Sequence, residues 1–219
     1  MKELIIFIWD HNALIIRETL KHLQLVGISV FCGLIISLPL GVILSRHRIL
    51  AKYVLAVIGT IQTIPGLVLL GFAMLLFGIG VRPALIVLTI YSILPTLRNT
   101  YTGITEVDAG CKESAKGIGM SNPQILFKIE LPLALPSIVN GFRISTIYIV
   151  NWATLAGLVG AGGLGDLIWT GLATYENNFI LTGAILAAIM AMALGALIGA
   201  VQKLLTPRGM RVGRYPNAT

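Results

Sequence analysis

Residues 23–45 read LQLVGISVFCGLIISLPLGVILS, and this uncharged run decides the fold class of the chain. A helix needs about 20 predominantly apolar residues to cross the hydrocarbon core of a bilayer. Further uncharged or nearly uncharged runs cover residues 53–81, 83–97, 131–159 and 177–202. The sequence therefore predicts an all-α polytopic membrane protein with five spans.

The composition of the chain agrees with this class. Of 219 residues, 56% are hydrophobic and 11% are charged, and the mean hydropathy is +0.90, values typical of membrane proteins. Little sequence remains outside the spans, so we expect one domain over residues 1–219. Within it we expect an interfacial amino-terminal helix in 1–20, a cytoplasmic loop at 105–130 and a basic cytoplasmic tail at 207–219.

The basic residues predict the orientation of the chain, since Lys and Arg collect on the cytoplasmic side of membrane proteins. With the amino terminus outside, the inner segments hold eleven basic residues: Arg46, Arg48, Lys52, Arg98, Lys112, Lys116, Lys128, Lys203, Arg208, Arg211 and Arg214. The outer segments then hold four: Lys2, Arg17, Lys21 and Arg82. We therefore expect an outer amino terminus and a cytoplasmic carboxyl terminus. A net charge of +7 could suggest a nucleic-acid partner, but this distribution of the basic residues is that of a membrane protein, so none is expected.

The polar loop at 105–130 has signals for two short helices. Residues 105–115 favour a helix that Gly117 and Gly119 should end. Ser121 followed by Asn122-Pro123 is typical of a helix start, with a capping side chain before a proline in the first turn. We expect a second helix over 124–129. Two helices joined at a glycine elbow would form a rigid unit that transmits displacement into the spans.

The same loop carries a recognisable motif. Glu113-Ser114-Ala115, Gly119, Ile129 and Leu131-Pro132 resemble the EAA loop of binding-protein-dependent ABC importer permeases, with Ser114 in place of the commoner alanine. Three further stretches resemble the osmoprotectant branch of that family, which imports glycine betaine, carnitine, choline and related compounds. They are residues 62–65, 94–104 and 160–166, and the resemblance covers roughly residues 20–207.

The resemblance implies a fold, a role and a set of partners. The fold would be that of a type I ABC importer permease in the bacterial inner membrane. Partners would be cytoplasmic ABC ATPase subunits, a second permease subunit (identical or similar) and an extracytoplasmic substrate-binding protein. The ATPase-coupling residues would be Glu113, Ser114, Ala115, Gly117, Gly119, Met120 and Ser121. Residues 1–219 contain no Gly-x-x-x-x-Gly-Lys-Ser/Thr, so ATP and Mg would bind the partner ATPase, and we expect this chain to be non-catalytic and without a cofactor.

Polar and aromatic residues inside the spans are the candidates for the translocation pathway. They are Gln62, Thr63, Pro65, Tyr91, Tyr148, Asn151 and Trp152. A proline within a span removes a backbone hydrogen bond, so a carbonyl there must face protein or water. An aromatic ring attracts a quaternary ammonium by roughly 0.5–2 kcal/mol. Helix packing is the alternative role for the rings, and Tyr148 and Trp152 would share one helix face.

Other functions remain open at this point. The permease could serve another small solute, such as an amino acid, and the chain could instead be a passive channel or an intramembrane enzyme. The glycine-rich run at 157–166 lacks the Lys and Ser/Thr of a phosphate loop and follows no strand, so we expect a tight outer loop. His11, His22 and His47 lack metal-ligand spacing and are expected to be solvated.

Overall fold

The computed structural model describes residues 2–206, and this part of the chain contains helices and no β-strand. The α-helices are α1 (Lys2–Asp10), α2 (Asn12–Arg46), α3 (Arg48–Thr63), α4 (Gly66–Phe77), α5 (Val81–Thr105), α6 (Ala109–Gly117), α7 (Asn122–Ile125), α8 (Leu131–Ala153), α9 (Leu164–Thr174) and α10 (Asn177–Leu205). A π-helical turn, Leu126–Glu130, joins α7 to α8, and a 3-10 turn, Thr154–Val159, follows α8. The predicted basic tail at 207–219 lies outside the described residues.

Four continuous helices within residues 2–206 are long and apolar enough to cross a membrane: α2, α5, Asn122–Val159 and α10. The fifth candidate is the pair α3 and α4, which are bent by 91° at their junction. The pair counts as one broken span or as a re-entrant segment. The predicted all-α polytopic fold is confirmed, and the predicted number of five spans holds if the pair is one span.

The amino-terminal prediction needs a correction. The structure contains a separate first helix, α1, but the predicted boundaries are wrong. Helix α1 ends at Asp10, and α2 runs without a break from Asn12 to Arg46, through the predicted start of the first span at Leu23. The charges in 17–21 set the predicted boundary, but residues 12–23 contain neither Gly nor Pro. A helix ends where a breaker or cap occurs, not where charge begins. The interfacial position of α1 stays a prediction.

The centre of the bundle is built by α2, α5 and α8, which approach one another at small and hydroxyl side chains. Ser145 on α8 donates to the carbonyl of Ser92 (2.7 Å), and the Ser92 hydroxyl on α5 lies between the carbonyls of Thr89 in its own helix (2.7 Å) and of Ser29 on α2 (3.1 Å). A Cβ added at Gly33 would meet the Ser92 side chain, and one at Gly41 would meet Thr100 at 2.6 Å. Close contact at small residues, with hydroxyls bridging helices, is how helices associate inside a bilayer.

Candidate functional site: the 105–130 loop and the helix break

The first helix of the loop begins later than its sequence predicts. Helix α5 continues to Thr105, a turn follows, and α6 starts at Ala109. The Asp108 carboxylate accepts a hydrogen bond from the Cys111 N–H (3.0 Å), which satisfies a free donor in the first turn. The predicted single helix over 105–115 is therefore wrong at its start, because the N-cap at Asp108 separates α6 from α5.

The glycine elbow after α6 is confirmed as a turn. Gly119 has φ of +83°, a conformation that is accessible to glycine and strained for most other residues. The Met120 N–H donates to the Ala115 carbonyl (3.1 Å), and the Gly119 N–H donates to the Lys116 carbonyl (2.9 Å). These two bonds form a Schellman motif, which closes the helix and fixes the direction of the outgoing chain.

The second helix of the loop starts as predicted but does not end as predicted. Ser121 forms a capping box, and its N–H donates to the Gln124 side chain (2.8 Å). A helix ending at 129 is wrong, since α7 passes through the π-helical turn into α8. The Leu131 N–H bonds to the Leu126 carbonyl five residues back, so the helix widens immediately before Pro132. The loop thus holds one isolated helix, α6, and one that is continuous with a span.

The predicted coupling residues lie at one end of the bundle, around α6 and the elbow. Glu113, Ser114, Gly117, Gly119 and Ser121 are exposed, Met120 is half-buried and Ala115 is buried. The Glu113 carboxylate makes no ion pair within residues 2–206. A cleft of about 600 Å³ lies between α6 and the start of α8, lined in part by Cys111, Ser114, Met120 and Pro132. The exposed polar face is therefore free to meet another polypeptide.

The acid that braces this loop is one that sequence reasoning missed. Glu130 is 1% exposed, and both of its oxygens are bound by the Arg46 guanidinium at the end of α2, with Nη1 to Oε1 at 3.0 Å. Lys112 on α6 lies 3.8 Å from the same carboxylate and donates to the Ile104 carbonyl at the end of α5 (3.2 Å). The sequence offered one signal for this role, an acidic residue between Ile129 and Leu131 at the start of an apolar run.

Three of the predicted pathway residues meet at the break between α3 and α4. The Gln62 side chain donates to the Tyr91 carbonyl (2.8 Å), and the Tyr91 hydroxyl donates to the Ile64 carbonyl. The rings of Tyr91 and Trp152 stack with centroids 4.8 Å apart. A Cβ added at Gly66 would overlap the Trp152 ring. The carbonyl at the break thus faces protein, and these side chains hold the bend in place.

The other four predicted pathway residues do not join this cluster. Tyr148 is 54% exposed and makes no ring contact within residues 2–206. Asn151 is exposed and bonds to the Ile147 carbonyl in its own helix (3.2 Å). Thr63 and Pro65 are exposed at the bend. These residues remain on free surfaces of α8 and of the broken helix pair.

The opposite end of the bundle holds a second charged cluster, around the glycine-rich run. Glu18 is 1% exposed; it pairs with Arg17 (2.8 Å) and Lys21 (3.6 Å) and accepts the Gly163 N–H (2.8 Å). His22 was expected to be solvated, which is wrong, because it is fully buried. Its Nδ1 accepts the Leu164 N–H (3.3 Å), so its Nε2 carries the proton and donates to the Val150 carbonyl (3.0 Å). The two side chains fix the glycine-rich loop on α2.

Residues 33–211 match the family described as "Binding-protein-dependent transport system inner membrane component". The chain belongs to this family. It is therefore a membrane subunit of a transport system, as its EAA-type loop predicts.

Curated relatives match nearly the whole chain. The choline transport system permease protein OpuBB of Bacillus subtilis (strain 168) is 40% identical over 96% of this chain and 97% of its own. The glycine betaine/carnitine/choline transport system permease protein OpuCB of the same organism is also 40% identical, with the same coverage. The carnitine transport permease protein OpuCB of Listeria monocytogenes is 40% identical over 93% of both chains.

A solved structure has the same fold. A chain of the MetNI methionine ABC transporter in an inward-facing conformation superposes with a TM-score of 0.81 at 27% identity, covering 90% of this chain and 99% of that chain. The predicted type I ABC importer fold is confirmed by this likeness and by the family match.

Proposed function

We propose that this chain forms the translocation pathway of an ATP-driven importer for osmoprotectants such as glycine betaine, carnitine or choline. The observation that carries the proposal is the exposed EAA-type loop, with its isolated helix α6 and rigid elbow at Gly119. The substrates named for the relatives that match over nearly the full chain support the substrate class.

In this proposal the loop is the docking surface for a cytoplasmic ATPase. The exposed residues Glu113, Ser114, Gly117, Gly119 and Ser121 would enter a groove on that subunit, together with Met120, while buried Ala115 keeps α6 against its support. ATP and Mg would bind the ATPase alone, so this chain would supply no catalytic group. When the ATPase subunits approach each other, the docked loops would move and bias the spans between two conformations.

The proposal places the amino terminus outside the cell and the EAA loop in the cytoplasm of a bacterial cell. The supporting observation is the uneven division of basic residues, which favours this orientation. A second permease subunit, identical or similar, would complete the pathway, and a substrate-binding protein would deliver solute to the outer end. Glu18, His22 and the glycine-rich loop would lie at that end.

The pathway would include the exposed polar surfaces of the broken helix pair and of α8. Thr63, Pro65, Tyr148 and Asn151 are the exposed members of the predicted set. Gln62, Tyr91 and Trp152 make contacts with one another or with the backbone at the break. We propose that these three shape the wall of the pathway by holding the bend.

The test is transport by the complete complex. The chain would be co-expressed with its cognate ATPase and substrate-binding protein and reconstituted into proteoliposomes, and uptake of labelled choline, glycine betaine, carnitine and methionine would be measured with and without ATP. We expect ATP-dependent uptake of at least one quaternary ammonium compound. Uptake of methionine alone would show that the substrate is an amino acid and not an osmoprotectant. Equal uptake with and without ATP would show that the protein is a channel and not an importer.

A further inference from the structure

We propose that Glu130, clamped by Arg46 and Lys112, is a positioning residue that transfers movement of α6 to the membrane-spanning helices. This inference deepens the proposed function and rests on it, since it assumes that α6 is the helix on which the ATPase acts. The three residues are called the charged joint below.

The charged joint connects the isolated loop helix to three spans at once. Arg46 is the last residue of α2, and Glu130 directly precedes α8. Lys112 is on α6, and its ammonium group reaches both the Glu130 carboxylate (3.8 Å) and the Ile104 carbonyl in the last turn of α5 (3.2 Å). A cation at the carboxyl end of a helix is also favoured by the helix dipole. Movement of α6 therefore acts on the inner ends of α2, α5 and α8 through one side chain.

Burial makes the joint stiff. Glu130 is almost fully buried, whereas the side chains of Arg46 and Lys112 are 43% and 25% exposed. A buried carboxylate is costly when it is left without a partner, so Glu130 holds its cations at short range. The Arg46 contact is bidentate, and a planar guanidinium fork restrains orientation as well as distance. The Arg46 contact thus fixes the carboxylate between α2 and α8, where the Lys112 ammonium of α6 lies 3.8 Å from it.

Elsewhere the connection of α6 to the bundle is weak. A turn at 106–108 precedes α6, and the glycine elbow follows it. The cleft of about 600 Å³ separates much of α6 from the start of α8. Ala115 is the buried residue of α6, and Lys112 is its charged contact with the spans. Without the joint, movement of α6 would reach the spans only through the turn at 106–108 and through the elbow.

The test is the number of solute molecules transported per ATP hydrolysed by the reconstituted complex. Lys112→Met removes the link from α6 and leaves the Arg46–Glu130 pair intact, and Lys112→Arg restores the charge. Lys52→Met is the matched control, because Lys52 is an exposed lysine on α3 without an ion pair in the described range. Coupling between two sites typically changes an equilibrium about 5- to 150-fold. Because the Lys112 contact is one of several that connect α6 to the spans, its removal should cause a change at the lower end of that range.

We expect Lys112→Met to lower solute transported per ATP about fivefold to tenfold, with ATP hydrolysis and the thermal midpoint close to wild type. Lys112→Arg should recover most of the loss, and Lys52→Met should match wild type. If Lys112 acts through Glu130, adding Lys112→Met to Glu130→Gln should cause little further loss, since Lys112 then has no carboxylate to act on and residues of one network are not additive.

Two results would overturn the proposal in different ways. The proposed role of the charged joint would be contradicted if Lys112→Met transported as much solute per ATP as wild type, or if the losses in the double variant were fully additive. Either result would leave the importer function in place. Absence of ATP-driven uptake in both wild type and Lys52→Met would overturn the proposed function and the joint with it.

Discussion

The indole ring of Trp152 stacks on the phenol ring of Tyr91, with centroids 4.8 Å apart and planes 19° apart. The pair joins α8 to α5 beside the break between α3 and α4, where the Tyr91 hydroxyl binds the Ile64 carbonyl. Stacked aromatic pairs contribute roughly 0.5–1.5 kcal/mol beyond the area they bury. The stack therefore adds to the contacts that hold the bend.

Trp152→Ala is expected to destabilise the bend and to weaken transport. Truncation of a fully buried Phe or Trp lowers the free energy of unfolding by about 3–5 kcal/mol. Because Trp152 is half-buried, its truncation should lower the free energy of unfolding by about half as much, ~2 kcal/mol. Trp152→Phe keeps a ring on Tyr91 and should lose less. The thermal midpoint of the purified protein and the half-saturation for choline uptake would measure both effects.

An unchanged thermal midpoint in Trp152→Ala would show that the stack does not stabilise the protein. An unchanged maximal rate and half-saturation would show that the ring contributes to packing only. Tyr148→Ala is the comparison at a more exposed position, 54% accessible, and it should leave the midpoint nearly unchanged.

The spans and the elbow were predictable because they depend on local sequence. Long uncharged runs predicted the helices that cross the membrane, and Gly119 predicted the turn after α6. The ends of the helices were less predictable. The N-cap at Asp108 and the π-helical turn before Pro132 moved the boundaries of α6 and α7, since caps and widened turns act through individual hydrogen bonds.

The two buried charged clusters were beyond sequence reasoning for a different reason. Arg46 and Glu130 are 84 residues apart in the chain, and His22 and Val150 are 128 apart. Only the packing of α2 against α8 brings each pair together. A charged or polar residue near the end of an apolar run is ordinarily predicted to lie at the membrane interface or in water. This rule wrongly predicted a solvated His22 and gave no reason to single out Glu130.

Gly119→Ala is expected to destabilise the elbow, because its φ of +83° is unfavourable for a residue with a Cβ. No atom lies within 4 Å of the added Cβ, so the cost is backbone strain of about 1 kcal/mol. Gly117→Ala is the matched control, because Gly117 is helical and equally uncrowded. This substitution should raise the free energy of unfolding by up to about 1 kcal/mol. Chemical unfolding of the two variants would give both values.

Gly119→Asp is expected to abolish ATP-driven uptake while the protein still inserts and purifies. Its side chain would project from the elbow into the open space around Gly119, where the proposed ATPase docks. Uptake by proteoliposomes is the measurement, and binding of the ATPase to the variant separates lost docking from lost folding. Wild-type uptake in this variant would contradict the coupling role of the elbow.

Gly141→Ala is expected to destabilise the contact between α5 and α8. An added Cβ would lie 2.8 Å from the backbone carbonyl oxygen of Pro95 and 2.5 Å from the Asn99 Cβ, and a backbone group cannot rotate away. Overpacking of this kind costs about 1–3 kcal/mol. Gly71→Ala is the control, with no atom within 4 Å. Equal thermal midpoints for the two variants would contradict the close approach of these helices.

His22→Phe is expected to loosen the glycine-rich loop while it keeps a ring in the core. The substitution removes the acceptor for the Leu164 N–H at the start of α9 and the donor to the Val150 carbonyl. Each buried group left without a partner costs about 1–3 kcal/mol. His47→Phe is the matched control, because His47 is exposed and its ring makes no hydrogen bond within residues 2–206. Hydrogen exchange at the Leu164 amide should accelerate in His22→Phe alone; an unchanged exchange rate would show that α9 is held by other contacts, with Glu18 at Gly163 the next to be tested.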